Sequence, residues 1–107
     1  NDIDKSIRLT AEELNKSCPV FIDDITRADR VEIDENGFFH YVYTFPTLSK
    51  NEIDLQHFYN TQKDKFQLMY NSSEEFEIFR KHEISLKYTY YDMYNNQIIS
   101  LIIGNEK

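Results

Sequence analysis

Val31-Glu32-Ile33-Asp34-Glu35-Asn36-Gly37-Phe38-Phe39-His40-Tyr41-Val42-Tyr43-Thr44-Phe45 is the stretch on which the reading of this chain turns. Asn36-Gly37 supplies the positive φ values of a two-residue type I′ turn, whose twist matches that of flanking strands. Before it, Ala28 to Asp34 alternates, with Val31 and Ile33 on one face and Arg30, Glu32 and Asp34 on the other. After it, Phe38 to Phe45 places Phe39, Tyr41, Tyr43 and Phe45 on one face and Phe38, His40, Val42 and Thr44 on the other. Pro46 ends the strand. This is a β-hairpin, and a rich one in aromatic residues.

Working outward, a second hairpin closes the chain. Ile84, Leu86, Tyr88 and Tyr90 alternate with Ser85, Lys87, Thr89 and Tyr91, a turn falls near Met93 to Asn96, and Gln97 to Ile103 returns. Asn95-Asn96 tolerate left-handed backbone at that turn. Between the hairpins, residues 51–70 carry helical spacing through Leu55, Phe58, Tyr59, Gln62, Phe66, Met69 and Tyr70. Ser72 with Glu75 has the form of a capping box opening a short helix through Lys81, with Phe76 and Phe79 facing inward. Ahead of the first hairpin, residues 4–17 form a helix on the stripe Ile7, Ala11, Leu14 and Cys18, with Thr10 and Glu13 as a further capping box. Pro19 stops that helix, and Val20-Phe21-Ile22 follows as a buried strand or tucked loop. The order is α-β-β-α-α-β-β. It predicts one α+β domain over residues 1–107, a four-stranded antiparallel sheet of two hairpins with the helices packed on it.

Composition limits the function. The 107 residues include 12 Lys plus Arg against 19 Asp plus Glu, a formal net charge of −7, with eight Phe and eight Tyr. An acidic chain whose largest basic cluster is Arg80-Lys81 makes a poor nucleic-acid binder, because phosphates require grouped cations. The longest apolar run, Ile98 to Ile103, has strand length and cannot span a bilayer. Two glycines do not make a phosphate loop. His40, His57 and His82 lie on different elements without metal-ligand spacing, so no metal and no cofactor are expected. Asp34-Glu35-Asn36-Gly37 fails the spacing of a calcium loop. Cys18 has no disulfide partner. Its place at a helix C-terminus raises a thiol pKa, so it reads as a small apolar residue packed with Leu14 and Phe21 rather than a nucleophile.

Two surfaces draw attention. The segment Asp23-Asp24-Ile25-Thr26-Arg27-Ala28-Asp29-Arg30 is dense in charge, and Asp23, Asp24, Arg27 and Asp29 form the only cluster that a small hydrolase would use. The same side chains also serve as turn caps and local ion pairs. The second surface is the sheet face opposite the tyrosines, carrying Phe38, His40, Val42, Lys87, Thr89 and Tyr91. A water-facing sheet alternates more cleanly toward polar residues, so either this face meets a partner or the N-terminal helix covers it.

The stretch Asn15-Lys16-Ser17-Cys18-Pro19-Val20-Phe21-Ile22-Asp23-Asp24-Ile25-Thr26-Arg27, with the later Tyr41-Val42-Tyr43-Thr44-Phe45 and Tyr88-Thr89-Tyr90-Tyr91-Asp92, resembles small uncharacterised exported bacterial proteins bearing an N-x-x-[CL]-P-x-x-[VI]-D-x-x-T-R segment. The resemblance implies export and a small α+β fold, and no activity. Relatives with a second cysteine near the C-terminus differ from this chain, which has only Cys18. Asn1 in place of Met fits a leader peptide removed on export, or a trimmed start.

The expectation is therefore a non-enzymatic, periplasmic or envelope-held binding domain. It meets a protein partner or a second copy through Phe38, His40, Lys87, Thr89 and Tyr91, with no nucleic acid and no transmembrane segment in the chain. The alternatives are a cytoplasmic immunity-type inhibitor that meets a basic enzyme through its negative charge, and a hydrolase built on Asp23, Asp24, Arg27 and Asp29.

Overall fold

The computed structural model describes residues 2–105. The elements are α1 (Asp2–Asn15), β1 (Val20–Phe21), β2 (Arg27–Ile33), β3 (Phe39–Thr44), α2 (Leu55–Ser72), α3 (Glu77–Lys81), β4 (Leu86–Tyr91) and β5 (Gln97–Ile103), with 3₁₀ turns at Lys50–Glu52 and Glu74–Phe76. They form an α+β fold on one five-stranded sheet in the order β1-β2-β3-β4-β5. Every neighbouring pair is antiparallel except β3–β4, which is parallel.

The expected four antiparallel strands are thus corrected twice. Val20-Phe21 is a strand at the sheet's edge, exposed rather than tucked in, and it forms because the Ile22 N–H reaches the Thr26 carbonyl at 2.9 Å across a tight loop. The Asp23 carboxylate folds that loop, accepting from the N–H groups of Ile25 and Thr26 at 2.9 and 2.8 Å. The second correction concerns how the hairpins join. The chain from Phe45 to Ser85 travels through α2 and α3 and brings β4 back beside β3 in the same direction, as a helical crossover between strands does.

The Asn36-Gly37 hairpin is present with a different loop. Asp34 pairs with Phe38, its N–H donating to the Phe38 carbonyl at 3.0 Å, while Gly37 N–H donates back to the Asp34 carbonyl. Only Gly37, at φ 81°, takes the left-handed conformation. This is a three-residue loop, a type I turn closed by a glycine bulge, not the two-residue type I′ turn. The Asp34 carboxylate selects it by accepting from the N–H groups of Asn36 and Phe38 at 2.9 and 3.0 Å. The longer loop also corrects the register. It pairs Ile33 with Phe39 and Val31 with Tyr41, so apolar meets apolar, whereas a two-residue loop would set Ile33 opposite His40.

Helix ends moved where side chains found other partners. α1 starts at Asp2, and Thr10 lies inside it, its hydroxyl donating to the Ser6 carbonyl at 2.9 Å instead of capping. A capping box does exist ahead of α2, at Ser49 and Glu52, and Asp54 caps α2 itself by accepting from His57 N–H at 3.1 Å. The Ser72–Glu75 box does not form. α2 continues through Ser72, whose hydroxyl donates to Leu68, and the guanidinium of Arg80 takes up the Tyr70 and Ser73 carbonyls at 2.7 Å each. Phe76 and Phe79 face inward as expected. In the second hairpin Asn95 is left-handed, at φ 64°. Asp92, 1% exposed, accepts from the N–H groups of Lys50, Tyr94 and Asn96 and pins the Lys50 turn to the hairpin tip.

Both long helices lie on one face of the sheet. Ile7 and Ala11 of α1 and Phe66 and Tyr70 of α2 share a single buried cluster with Phe39, Tyr43, Leu86, Tyr88, Tyr90, Leu101 and Ile103. Phe66 stacks on Tyr88 with ring centroids 3.8 Å apart, and Tyr88 stacks on Tyr41 at 4.7 Å. Phe58 meets Tyr90 edge-on at 4.9 Å. Such pairs add roughly 0.5–1.5 kcal/mol each to the area they bury. The phenols keep their polar ends satisfied: Gln62 Nε2 donates to Tyr90 Oη at 2.9 Å and Tyr70 Oη donates to the Ile84 carbonyl at 2.9 Å. The arrangement in which α1 covers the opposite face is excluded.

Candidate functional site

The face without helices is built of three rows, fixed by strand register. Phe21, Arg27, Thr44, Tyr91 and Gln97 form the first; Arg30, Val42, Thr89 and Ser100 the second; Glu32, His40, Lys87 and Ile102 the third. Within this layer the polar groups are already paired. Thr89 Oγ1 sits 2.7 Å from His40 Nε2 and 3.2 Å from Ser100 Oγ. Arg27 and Thr44 both donate to the Asp29 carboxylate, at 2.6 and 2.5 Å, and Arg30 pairs with Glu32 at 2.8 Å. Val42 and Thr89, at 1% and 2% exposure, are shut in by these longer neighbours.

Of the five residues expected on this surface, His40, Lys87 and Thr89 come together and Tyr91 stands two positions along β4. Phe38 lies at the hairpin rim on the far side of the face, separated from the Tyr91 row by about 20 Å of strand rise. Thr89 is buried and positions the His40 ring rather than meeting a partner itself. Sequence reading missed Phe21, 56% exposed at the edge of the first row, and Ile102, 49% exposed at the end of the third. Ile102 lies on a strand that is apolar on both faces, so alternation does not assign its side; Phe21 needed the β1–β2 pairing, which rests on two residue pairs and leaves no periodic signal.

Electrostatics set this face apart. It carries Arg27, Arg30 and Lys87 against Asp29 and Glu32, nearly balanced on a chain of net charge −7. The remaining carboxylates crowd the helices and loops. Burial, with the Lys87 ammonium adding to it, lowers the His40 pKa from its ordinary 6.5, so the imidazole is neutral at physiological pH. Acidic groups at Glu32 and Asp34 pull the other way without winning.

The hydrolase cluster does not assemble. Asp23 is spent on its own loop, and Asp29 is held by Arg27 and Thr44. The Asp23 carboxyl is lowered, first by the Ile25 N–H, as befits a structural acceptor. Cys18 is half-buried, and its expected companions Leu14 and Phe21 are exposed at 41% and 56%, which corrects the packed-core reading. Burial and the charge of Asp29 raise its thiol pKa, the reverse of what a nucleophile needs. Among the described residues, no three His, Cys, Asp or Glu side chains converge to hold a metal ion. No helix among them is long and apolar enough to cross a membrane.

Two solved structures share the fold. A candidate secreted protein of Pseudomonas aeruginosa superimposes with a TM-score of 0.78 at 10% identity, over 95% of this chain and 88% of its own. The pilotin EpsS of the Vibrio vulnificus type 2 secretion system gives a TM-score of 0.72 at 11% identity, over 95% of this chain and 87% of its own. At such identities the likeness is one of fold. No curated protein matches by sequence. Across residues 2–100 the sequence matches the profile of a domain of unknown function, DUF8479, and the chain belongs to that family.

Proposed function

We propose that this is an exported, non-enzymatic protein-interaction domain of the bacterial envelope, and that its helix-free sheet face is the contact surface. The observation that carries the reading is the placement of α1 and α2 on the same side of the sheet, which leaves the other side without helices and nearly balanced in charge on an acidic molecule. Phe21, His40, Lys87, Tyr91 and Ile102 would make the contact, with Thr89 holding His40 in place and Phe38 at the rim. Tyrosine suits such a role, offering a broad apolar ring with a polar end. Export is supported by the resemblance of the Asn15–Arg27 segment to exported proteins, and by a fold shared with a candidate secreted protein and with a secretion-system pilotin.

The test is site-specific photocrosslinking in the native host, with the reactive group at Tyr91 or Lys87 and, for comparison, at exposed Leu68 on α2. A discrete adduct in the envelope fraction from the two sheet positions alone is the expected result. An adduct at twice the chain mass would identify the partner as a second copy. Crosslinking only from Leu68, and only at low salt, would instead favour an acidic inhibitor acting through its helix layer.

A further inference from the structure

The other edge of the sheet is built differently from β1. β5 has a neighbour on one side only, and none of its seven residues, Gln97 to Ile103, is charged. Edge strands ordinarily carry charge or cover, because their outward backbone groups template further pairing. Here the cover is partial. Lys63 Nζ of α2 reaches the Ile102 carbonyl at 3.3 Å, and Gln67 Nε2 reaches that of Gly104 at 2.7 Å. Both close the C-terminal half of the strand. The Ile102 contact also fixes direction: residues two apart on an antiparallel strand point their N–H and C=O the same way, so Ser100 aims both outward. No group among the described residues meets them. Beside this open half, Leu55, Gln56, Tyr59 and Ile99 line a groove of about 310 Å³ between the first turns of α2 and the strand.

We infer that this groove takes a short extended segment of a partner protein, added as a sixth strand on β5 near Ser100. The added strand exchanges main-chain hydrogen bonds with Ser100 and lays an apolar side chain against Leu55, Tyr59 and Ile99, the first giving affinity and the second specificity. A segment with neutral or basic flanks fits a chain of net charge −7. A second copy fits poorly. Twofold pairing about Ser100 would need the Ile102 end that Lys63 and Gln67 occupy, and it would bring two acidic molecules together. The inference concerns the sheet's edge, so it stands or falls separately from the reading of the helix-free face.

Selection from a displayed library of random octapeptides tests it. The expected winners alternate apolar residues at period two, lack Asp and Glu, and bind at least about tenfold more weakly to Ser100→Pro and to Tyr59→Lys, while Tyr91→Ala binds as wild type. Proline is tolerated at Ser100 because the outward N–H is absent from the ladder. Should Ser100→Pro not fold, Tyr59→Lys decides alone, since it leaves every ladder bond in place. Failure of any peptide to enrich overturns the inference, as does binding unaffected by both variants. So does light scattering that shows a wild-type dimer which either variant splits.

Discussion

His40 is an imidazole kept neutral by its position. Its ring is half-buried between Thr89, to which Nε2 is bonded at 2.7 Å, and the cross-strand Lys87. Because its folded pKa lies below the ordinary 6.5, the unfolded chain binds more protons in the window between the two values. The stabilisation is therefore complete above about pH 6.5 and is lost as pH falls through the lowered folded value. Lys87→Gln removes the second cause of the shift, so the His40 pKa rises toward 6.5 in that variant, and Glu32→Gln lowers it further. An NMR titration of the His40 ring protons reads both. An unmoved pKa in Lys87→Gln would assign the shift to burial and the Arg30 charge. Any partner covering this face desolvates the ring further, which makes the same titration a sensor of binding.

At the scale of elements, the junction between α1 and β2 is the least expected feature. β1 pairs only with Arg27 and Ala28, so the outward backbone of Val31 would be left bare. The side-chain amide of Asn15, the last residue of α1, takes the place of a neighbouring strand: Oδ1 accepts from Val31 N–H at 2.8 Å and Nδ2 donates to its carbonyl at 2.7 Å. One side chain thereby ends the helix's contact with the sheet and guards an edge. Asn15→Ala removes both bonds and is expected to cost about 1–2 kcal/mol in urea unfolding. Asn15→Asp keeps the acceptor for Val31 N–H but turns a carboxylate oxygen toward the Val31 carbonyl, so it should be no milder than Asn15→Ala. Faster amide exchange confined to β2 would accompany either change, and uniform exchange across the sheet would refute this account of the edge.

Across the whole molecule, cohesion between layers runs through the tyrosine column. Tyr88 sits between Tyr41 and Phe66, at 4.7 and 3.8 Å, and burial raises the phenol pKa of Tyr41, Tyr43 and Tyr88 and pushes that of Tyr90 up to about 12. These hydroxyls stay protonated across the physiological range. Phe66→Ala opens a cavity where α2 meets the sheet and is expected to cost about 3–5 kcal/mol, a large share of the roughly 5–15 kcal/mol that holds a domain of this size. Thermal unfolding measures it. A loss under about 1 kcal/mol would mean that α2 is held by its hydrogen bonds to Tyr90, Ile102 and Gly104 rather than by stacking. The charge distribution also belongs to this scale, since the near-neutral face emerges only when β2, β3 and β4 lie side by side.

Whatever depends on neighbours along the chain was legible before the chain folded. Period-two alternation located β2, β3 and β4, the apolar run after the turn located β5, 3.6-residue spacing located α1 and α2, α3 was placed through a Ser72–Glu75 box that does not form, and Asn36-Gly37 and Asn95 marked both hairpin tips. Alternation also placed His40, Val42, Lys87, Thr89 and Tyr91 on one face, because its pattern along a strand is local. Pairings between segments far apart emerged only in the folded chain. Nothing local in Phe39–Thr44 or Leu86–Tyr91 distinguishes a parallel neighbour from an antiparallel one, and the side of the sheet chosen by α1 is set by where its Ile7 and Ala11 find a core. Competing caps failed for the same reason. Thr10 and Ser72 had carbonyls one turn back within reach, and the three-residue loop that Asp34 caps sets Ile33 opposite Phe39 and Val31, which is buried, opposite Tyr41. Local preferences amount to tenths of a kcal/mol to about one, and burial of a mispaired face costs several times that, so packing overrides them wherever the two conflict.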